Sequence, residues 1–160
     1  MTVNPIPDGY HSVTPYLVVD GAAEAIDWYA RAFGATEIMR MAMPVPSGVE
    51  RGDRIGHAEI KIGDSCVMLS DEWPDMNLRG PKARGGVTAS LMIYVPDVDA
   101  TFARALREGA NEERAVQDQF YGDRSGTLVD PFGHRWMIST HVEDVTPEEM
   151  QRRMSAMEPA

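Results

Sequence analysis

One order of elements occurs twice in this chain, and that repetition restricts the fold more than any other feature. Val19 and Ile26 correspond to Val95 and Phe102, 76 positions later, and the Gly34-Ala35 and Gly109-Ala110 pairs lie 75 apart. Each half reads as strand, helix, strand, strand, strand, over about residues 10–70 and 87–141. Solenoid repeats have periods of roughly 20–50 residues and many copies. Two longer copies instead predict a duplicated domain with pseudo-two-fold symmetry. At 160 residues the chain has the length of one α+β domain, so residues 1–160 are expected to form one.

In the first half, Ser12 to Val19 is rich in β-branched and aromatic residues and predicts a strand, with Pro15 marking an edge. The next segment, AAEAIDWYARAFGA, places Ile26, Tyr29, Ala30 and Phe33 on one helical stripe, with Gly34 as the stop. Glu37–Met43 predicts a second strand, and the Pro44, Pro46, Gly48, Gly52 stretch a loop. HAEIKI (57–62) alternates with period 2, and CVML (66–69) returns after the Gly63-Asp64 turn. Residues 71–86 carry two prolines and three glycines without periodicity, and read as a linker or functional loop.

The pattern then restarts. Val87–Val95 predicts a strand, and Asp97 or Asp99 caps a helix with Val98, Phe102, Ala105 and Leu106 inward. Arg114–Gln117, Gly126–Val129 and Arg135–Thr140 predict strands, the last two joined by a turn at Asp130-Pro131-Phe132-Gly133. Thr146 as N-cap, Pro147 at the first helical position and two glutamates predict a C-terminal helix over about 146–157.

The net charge of −10 repels phosphate backbones and anionic bilayers, which argues against nucleic acid and membrane partners. Cys66 is the single cysteine, so no intrachain disulfide forms. Met1–Tyr10 lacks the pattern of a signal peptide, and no apolar run approaches the ~20 residues of a membrane helix. A cytoplasmic location is expected.

The segments TPYLVVDGAAEAIDWYARAFGA, GHAEIKIGDSCVMLSDE and DQFYGDRSGTLVDPFGHRWMISTHVEDVTPEEMQRR resemble the glyoxalase, bleomycin-resistance and dioxygenase group, the vicinal oxygen chelate superfamily. The resemblance runs over about residues 10–153 and is nearest the PhnB-like branch, whose members often carry a demethylubiquinone methyltransferase label. It implies two βαβββ half-repeats whose mixed sheets curl into cups, with helices on the convex side, a ligand on the concave side, and a homodimer.

Strand alternation divides the side chains between the two faces. Val13, Leu17, Val19, Ala58, Ile60, Ile62, Leu91, Ile93, Val95, Trp136 and Ile138 are expected under the helices. Ser12, Thr14, Tyr16, Val18, His57, Glu59, Lys61, Met68, Ser70, Ser90, Met92, Tyr94, Arg135, Met137 and Ser139 are expected on the concave side. Metal-dependent relatives place His, Glu or Gln at four concave positions. By motif spacing these fall here on Thr14, Met68 or Ser70, Ser90 and Met137, none a good ligand for a divalent metal. No metal or other cofactor is therefore expected.

His57 and Glu59, at i and i+2, are candidates for general acid and base; on a solvated strand face or an interface they would have no such role. Tyr121 and Arg124, which the resemblance puts at a cup rim, are candidate ligand contacts, with Arg124 suited to a carboxylate or phosphonate; the bland alternative is a turn pair with Asp123 or Asp130. Trp73 is a candidate lid, whereas Trp28 belongs to a packed helix face. Cys66 borders the concave side without a basic neighbour to make a thiolate. His11 is expected to be structural and His134 exposed in a turn. Among the 11 methionines, Met68, Met92 and Met137 suit either an adaptable ligand floor or ordinary gap-filling.

Two classes of function follow. One is a glyoxalase/bleomycin-resistance-like protein that binds a small molecule in a concave pocket without metal. The alternatives are catalytic: a lyase or isomerase using His57 and Glu59, or a metal-dependent glyoxalase or dioxygenase. A methyltransferase is disfavoured, since no nucleotide-binding βα turn is present.

Overall fold

The computed structural model describes residues 3–43 and 54–157. The loop expected around Pro44, Pro46, Gly48 and Gly52 lies outside these residues. The chain forms two compact units, Met1–Val87 and Thr88–Ala160.

In the first unit, β1 (Tyr16–Val19) leads into α1 (Ala22–Phe33), followed by β2 (Thr36–Ala42), β3 (Ile55–Ile62) and β4 (Ser65–Asp71). The sheet order is β1-β4-β3-β2, with β1 parallel to β4 and the other pairs antiparallel. In the second unit, β5 (Ser90–Tyr94), α3 (Val98–Arg107), β6 (Asn111–Asp118), β7 (Asp123–Val129) and β8 (Arg135–His141) repeat the plan, in the order β5-β8-β7-β6. The parallel β5·β8 pair again closes the unit. A helix α4 (Pro147–Ser155) follows, its N-cap Thr146 accepting from the Glu149 amide at 3.3 Å. Both units are thus four-stranded mixed sheets, each with one long helix packed on it.

Burial of apolar stripes forms each core. In the first unit Ile26, Trp28, Tyr29 and Phe33 of α1 and Leu17, Val19, Ala58, Ile60 and Leu69 of the sheet are buried. In the second, Val98, Phe102 and Ala105 of α3 and Leu128, Trp136 and Ile138 are buried. A Cβ on Gly126 would stand 2.7 Å from the Phe102 ring, so only glycine lets α3 approach β7 this closely. Asp130 organises the β7–β8 turn, accepting from the amides of Phe132 and His134 at 2.9 Å each and from Trp136 Nε1 at 2.8 Å.

The last strand of each unit caps the helix of that unit. Asp71 accepts at 2.9 Å from the amides of Gly21 and Ala22, at the start of α1, and at 2.6 Å from the Ile55 amide. Thr140 accepts from the Val98 amide at 2.9 Å at the start of α3, where Asp97 also caps Ala100 at 2.9 Å. Free amides of a first helical turn need such acceptors.

Several expectations need correction. β1 begins at Tyr16, so the Ser12–Pro15 stretch is not strand, and Val13 is 84 % exposed instead of packing under α1. Pro15 explains the shortening, since it has no amide for a ladder. Residues 71–86 are more ordered than a linker: they hold a 3-10 turn at Pro74–Met76, a Trp73–Leu78 bridge and a short helix α2 (Pro81–Arg84). His134 is buried, because its amide is drawn in by Asp130.

Candidate functional site

The face of the first sheet opposite α1 carries a chain of polar side chains. Cross-strand pairing sets it: Tyr16 and Glu59 both pair with Met68, Lys61 pairs with Cys66, and Met41 pairs with His57. Paired residues share a face, so Tyr16, Met41, His57, Glu59, Cys66 and Met68 stand together on it. The alternation HAEIKI produces this arrangement, since burying Ala58, Ile60 and Ile62 under α1 turns His57 and Glu59 to the other side.

These side chains are joined. Tyr16 Oη lies 3.0 Å from His57 Nδ1, and His57 Nε2 lies 3.2 Å from Glu59 Oε1. The Tyr10 hydroxyl donates to the other carboxylate oxygen of Glu59. Glu59 is buried, and Tyr16 is half exposed. The hydrogen bond from Tyr10, joined by that from His57, holds the Glu59 carboxyl below its ordinary range against the opposing effect of burial. The same bond pushes the Tyr10 phenol well above its usual value. An ionised Glu59 accepts only, so His57 Nε2 carries a proton toward it; in the neutral imidazole Nδ1 then accepts from Tyr16. The arrangement is a hydrogen-bonded chain from a half-exposed phenol through an imidazole to a buried carboxylate.

The second unit has a different network on the face opposite α3. Met92 pairs with Met137 and Tyr94 with Ser139, and Ser139 and Met137 pair with Ser125 and Thr127 of β7. Buried Asp123 collects Tyr94 Oη at 3.0 Å and Ser139 Oγ at 2.9 Å on one oxygen, and His141 Nδ1 at 2.8 Å on the other. His141 Nε2 lies 3.0 Å from Asp144. Burial raises the Asp123 carboxyl, but the bonds from His141, Ser139 and Tyr94 outweigh it and the net shift is downward. His141, between two carboxylates, is shifted upward, chiefly by Asp123. The hydroxyls of Ser125 and Thr127, and of Ser70 on the first sheet, are buried with no protein group bonded to them.

At the positions to which the resemblance assigns the ligands of metal-dependent relatives, Thr14, Met68 or Ser70, Ser90 and Met137, the donor set does not suit a divalent ion. Thr14 lies outside the strand and donates to the His11 carbonyl at 3.3 Å. Ser90 accepts from Arg135 at 2.7 Å. Met68 and Met137 offer only thioethers, which are soft and neutral. Among the described residues no three His, Cys, Asp or Glu side chains are grouped to hold a metal.

Arg124 is not free at a rim. It reaches Asp99 through Nε at 2.8 Å and Nη2 at 2.7 Å, and Asp118 at 3.1 Å, which ties β7 to α3 and β6. Its turn partners were expected to be Asp123 or Asp130; the observed carboxylates come from the helix and the edge strand. Tyr121 is half buried and packs edge-on against Phe120, with centroids 5.2 Å apart. Cys66 is buried, and burial pushes its thiol up. Trp28 is buried edge-on against Tyr29 and Phe33, and Trp73 is half buried in its bridge with Leu78.

Tyr10, Asp123 and His141 were not singled out by the sequence reading. His141 extends the period-2 series Arg135, Met137, Ser139 by one step, so that signal was present. Asp123 belongs to a part of β7 upstream of its expected start at Gly126, and Tyr10 comes from irregular backbone with no periodicity.

Comparison with known proteins places this geometry. Residues 9–138 match the model of the Glyoxalase/Bleomycin resistance protein/Dioxygenase superfamily. Uncharacterized protein Rv0887c of Mycobacterium tuberculosis is 41% identical over 148 residues, covering 91% of this chain and 83% of that protein. Protein YjdN of Escherichia coli is 29% identical over 141 residues, covering 79% and 93%. The crystal structure of protein PA1353 from Pseudomonas aeruginosa superposes with a TM-score of 0.65 at 23% identity, covering 83% of this chain and 99% of that one. No helix among the described residues is long and apolar enough to cross a membrane.

Proposed function

Because the chain belongs to the Glyoxalase/Bleomycin resistance protein/Dioxygenase superfamily, we propose that it binds a small organic molecule without a metal ion or other cofactor. The observation that carries this reading is the donor set at the positions that the resemblance assigns to metal ligands: Met68 or Ser70, Met137, a bonded Ser90 and an off-strand Thr14. Each unit is read by itself: the proposed contacts on the first are Tyr16, His57, Glu59 and Met68, and those on the second are Met92 and Met137. Methionine surfaces adapt to aromatic and irregular apolar shapes, and the buried hydroxyls of Ser70, Ser125 and Thr127 offer polar anchor points beside them. Thr14, Ser90, Tyr121 and Arg124 are left out, since each is engaged or packed as described above.

Thermal melting with a panel of aromatic and drug-like compounds tests this, with and without added Ni²⁺, Zn²⁺, Fe²⁺ or Mn²⁺. The reading predicts upward shifts from some compounds and no dependence on metal. A panel without a single shift, or shifts that appear only with metal, overturns it.

A second reading is favoured by the hydrogen-bonded Tyr16–His57–Glu59 chain: acid–base chemistry of the lyase or isomerase type. It predicts that His57→Gln abolishes turnover of a ligand found by the panel while leaving its binding within a few-fold. The first reading also carries the expectations of one domain over residues 1–160, a place in the PhnB-like branch, a homodimer and a cytoplasmic setting. Light scattering of the eluted protein checks the dimer: one protomer mass at micromolar concentration removes it.

A further inference from the structure

The orientation of this hydrogen-bonded chain has a consequence for the ligand. Tyr16 Oη lies 3.0 Å from His57 Nδ1; toward a neutral imidazole protonated on Nε2 the phenol is the donor, and its lone pairs then face outward as acceptors. A group that meets Tyr16 must therefore bring a proton. Around that phenol the surface is thioether: Met68 is the cross-strand partner of Tyr16, and Met41, 51 % exposed, is that of His57. Sulfur–aromatic contacts favour a flat aromatic ring at such a place.

We infer that the first unit takes an aromatic ligand with an acidic hydroxyl and binds it as the anion, with Tyr16 as the residue that receives the proton. This rests on the binding reading above and adds the ligand class. The ligand's O–H bond breaks, its proton joins Tyr16 Oη, and the original Tyr16 proton moves to His57 Nδ1. The imidazolium so formed keeps its Nε2 proton on Glu59, and no other reactant is needed. Before transfer the His57–Glu59 pair carries one negative charge; afterwards it is neutral, and the ligand anion faces its positive end.

The charged and titratable groups around His57 agree with this. On its own strand they are Glu59 and Lys61, β1 brings Tyr16, the leading segment brings Tyr10, and β4 brings Cys66 as a thiol kept neutral by burial. The paired residue on β2 is Met41, which is uncharged.

The probe is p-nitrophenol, whose phenolate absorbs apart from the phenol, at about neutral pH, where an ordinary imidazole is mostly neutral and the free compound is a mixture of both forms, so that binding reads as a gain in the phenolate band. Calorimetry reports binding and absorbance reports the protonation state. Expected for the unsubstituted protein is bound phenolate, with a change in the His57 ring ¹⁵N shifts to those of imidazolium. Tyr16→Phe keeps the ring; it is expected to melt as the parent does, to bind about tenfold more weakly, and to hold the neutral phenol. Bound neutral phenol in the parent overturns the inference, as does a phenolate band undiminished in Tyr16→Phe. If p-nitrophenol does not bind while other aromatic compounds raise the melting temperature, the inference falls and the binding reading stands. If nothing binds, both fall.

Discussion

The two units share strand order, pairing directions and helix placement, yet they treat their open faces differently. In the first, the polar groups form a line in which Tyr16 reaches Glu59 through His57 and Tyr10 donates to the same carboxylate. In the second, Tyr94, Ser139 and His141 converge directly on one carboxylate, Asp123. An imidazole stands between phenol and carboxylate in the line, and none does in the hub. The difference teaches that the helix side of each sheet is held by core packing, while the other side is free to diverge. The caps show the same division on a smaller scale. Asp71 serves three amides at the start of α1 and β3, whereas Thr140 serves one at the start of α3.

The largest expected effect separates the caps. Asp71→Ala leaves three amides without an acceptor, two of them buried contacts, and should cost about 3–5 kcal/mol in urea unfolding, the range of a broken buried polar network. Thr140→Val removes one acceptor and should cost about 1 kcal/mol. Equal losses would show that the two helix starts are energetically alike and break the comparison.

The hub predicts a pH signature. Asp123 titrates below its unfolded value of about 3.9, so its stabilisation is complete above that pH and is lost as pH falls through the folded value. His141 titrates above its unfolded value of about 6.5, so its contribution is complete below that pH and is lost as pH rises through the folded value. Melting temperatures from mildly acidic to alkaline pH should therefore fall on the alkaline side, and His141→Gln should flatten that fall. An unchanged slope in His141→Gln would remove His141 from the hub.

The smallest effect concerns the two methionines. Met68→Leu and Met137→Leu keep volume and apolarity, so each should change stability by less than about 1.5 kcal/mol. Their consequence should appear in ligand binding instead, as altered affinity for aromatic compounds in melting-shift titrations. A large loss of stability in either would assign that methionine to core packing.

Much of the fold was legible because burial imposes a period. The alternation of HAEIKI and of RWMIST assigned the faces correctly, and the glycine-alanine pairs marked both helix ends. Strand ends were less legible: Pro15 cut β1 short and left Val13 exposed, and β7 began three residues early at Asp123. The site was half legible. His57 and Glu59 declared themselves by spacing within one strand. Alternation put Tyr16 on the same face, but its bond to His57, 41 residues away, and that of Tyr10 to Glu59, 49 residues away, leave no periodic trace. Arg124 misled because sequence neighbours offered carboxylates at a turn, while its partners are Asp99, 25 residues away on α3, and Asp118, its cross-strand neighbour on β6.

The central proposal is that the family's architecture is kept while two of the positions assigned to its metal ligands, Met68 and Met137, contact an organic ligand instead. Methionine methyl ¹³C NMR tests it most directly, with Mn²⁺ added first and an aromatic ligand such as p-nitrophenol added to a second sample. The account predicts that Mn²⁺ leaves the Met68 and Met137 signals unbroadened and that the aromatic compound shifts Met68, the cross-strand partner of Tyr16. Selective broadening of Met68 or Met137 at substoichiometric Mn²⁺, with no response to the aromatic compound, would contradict it.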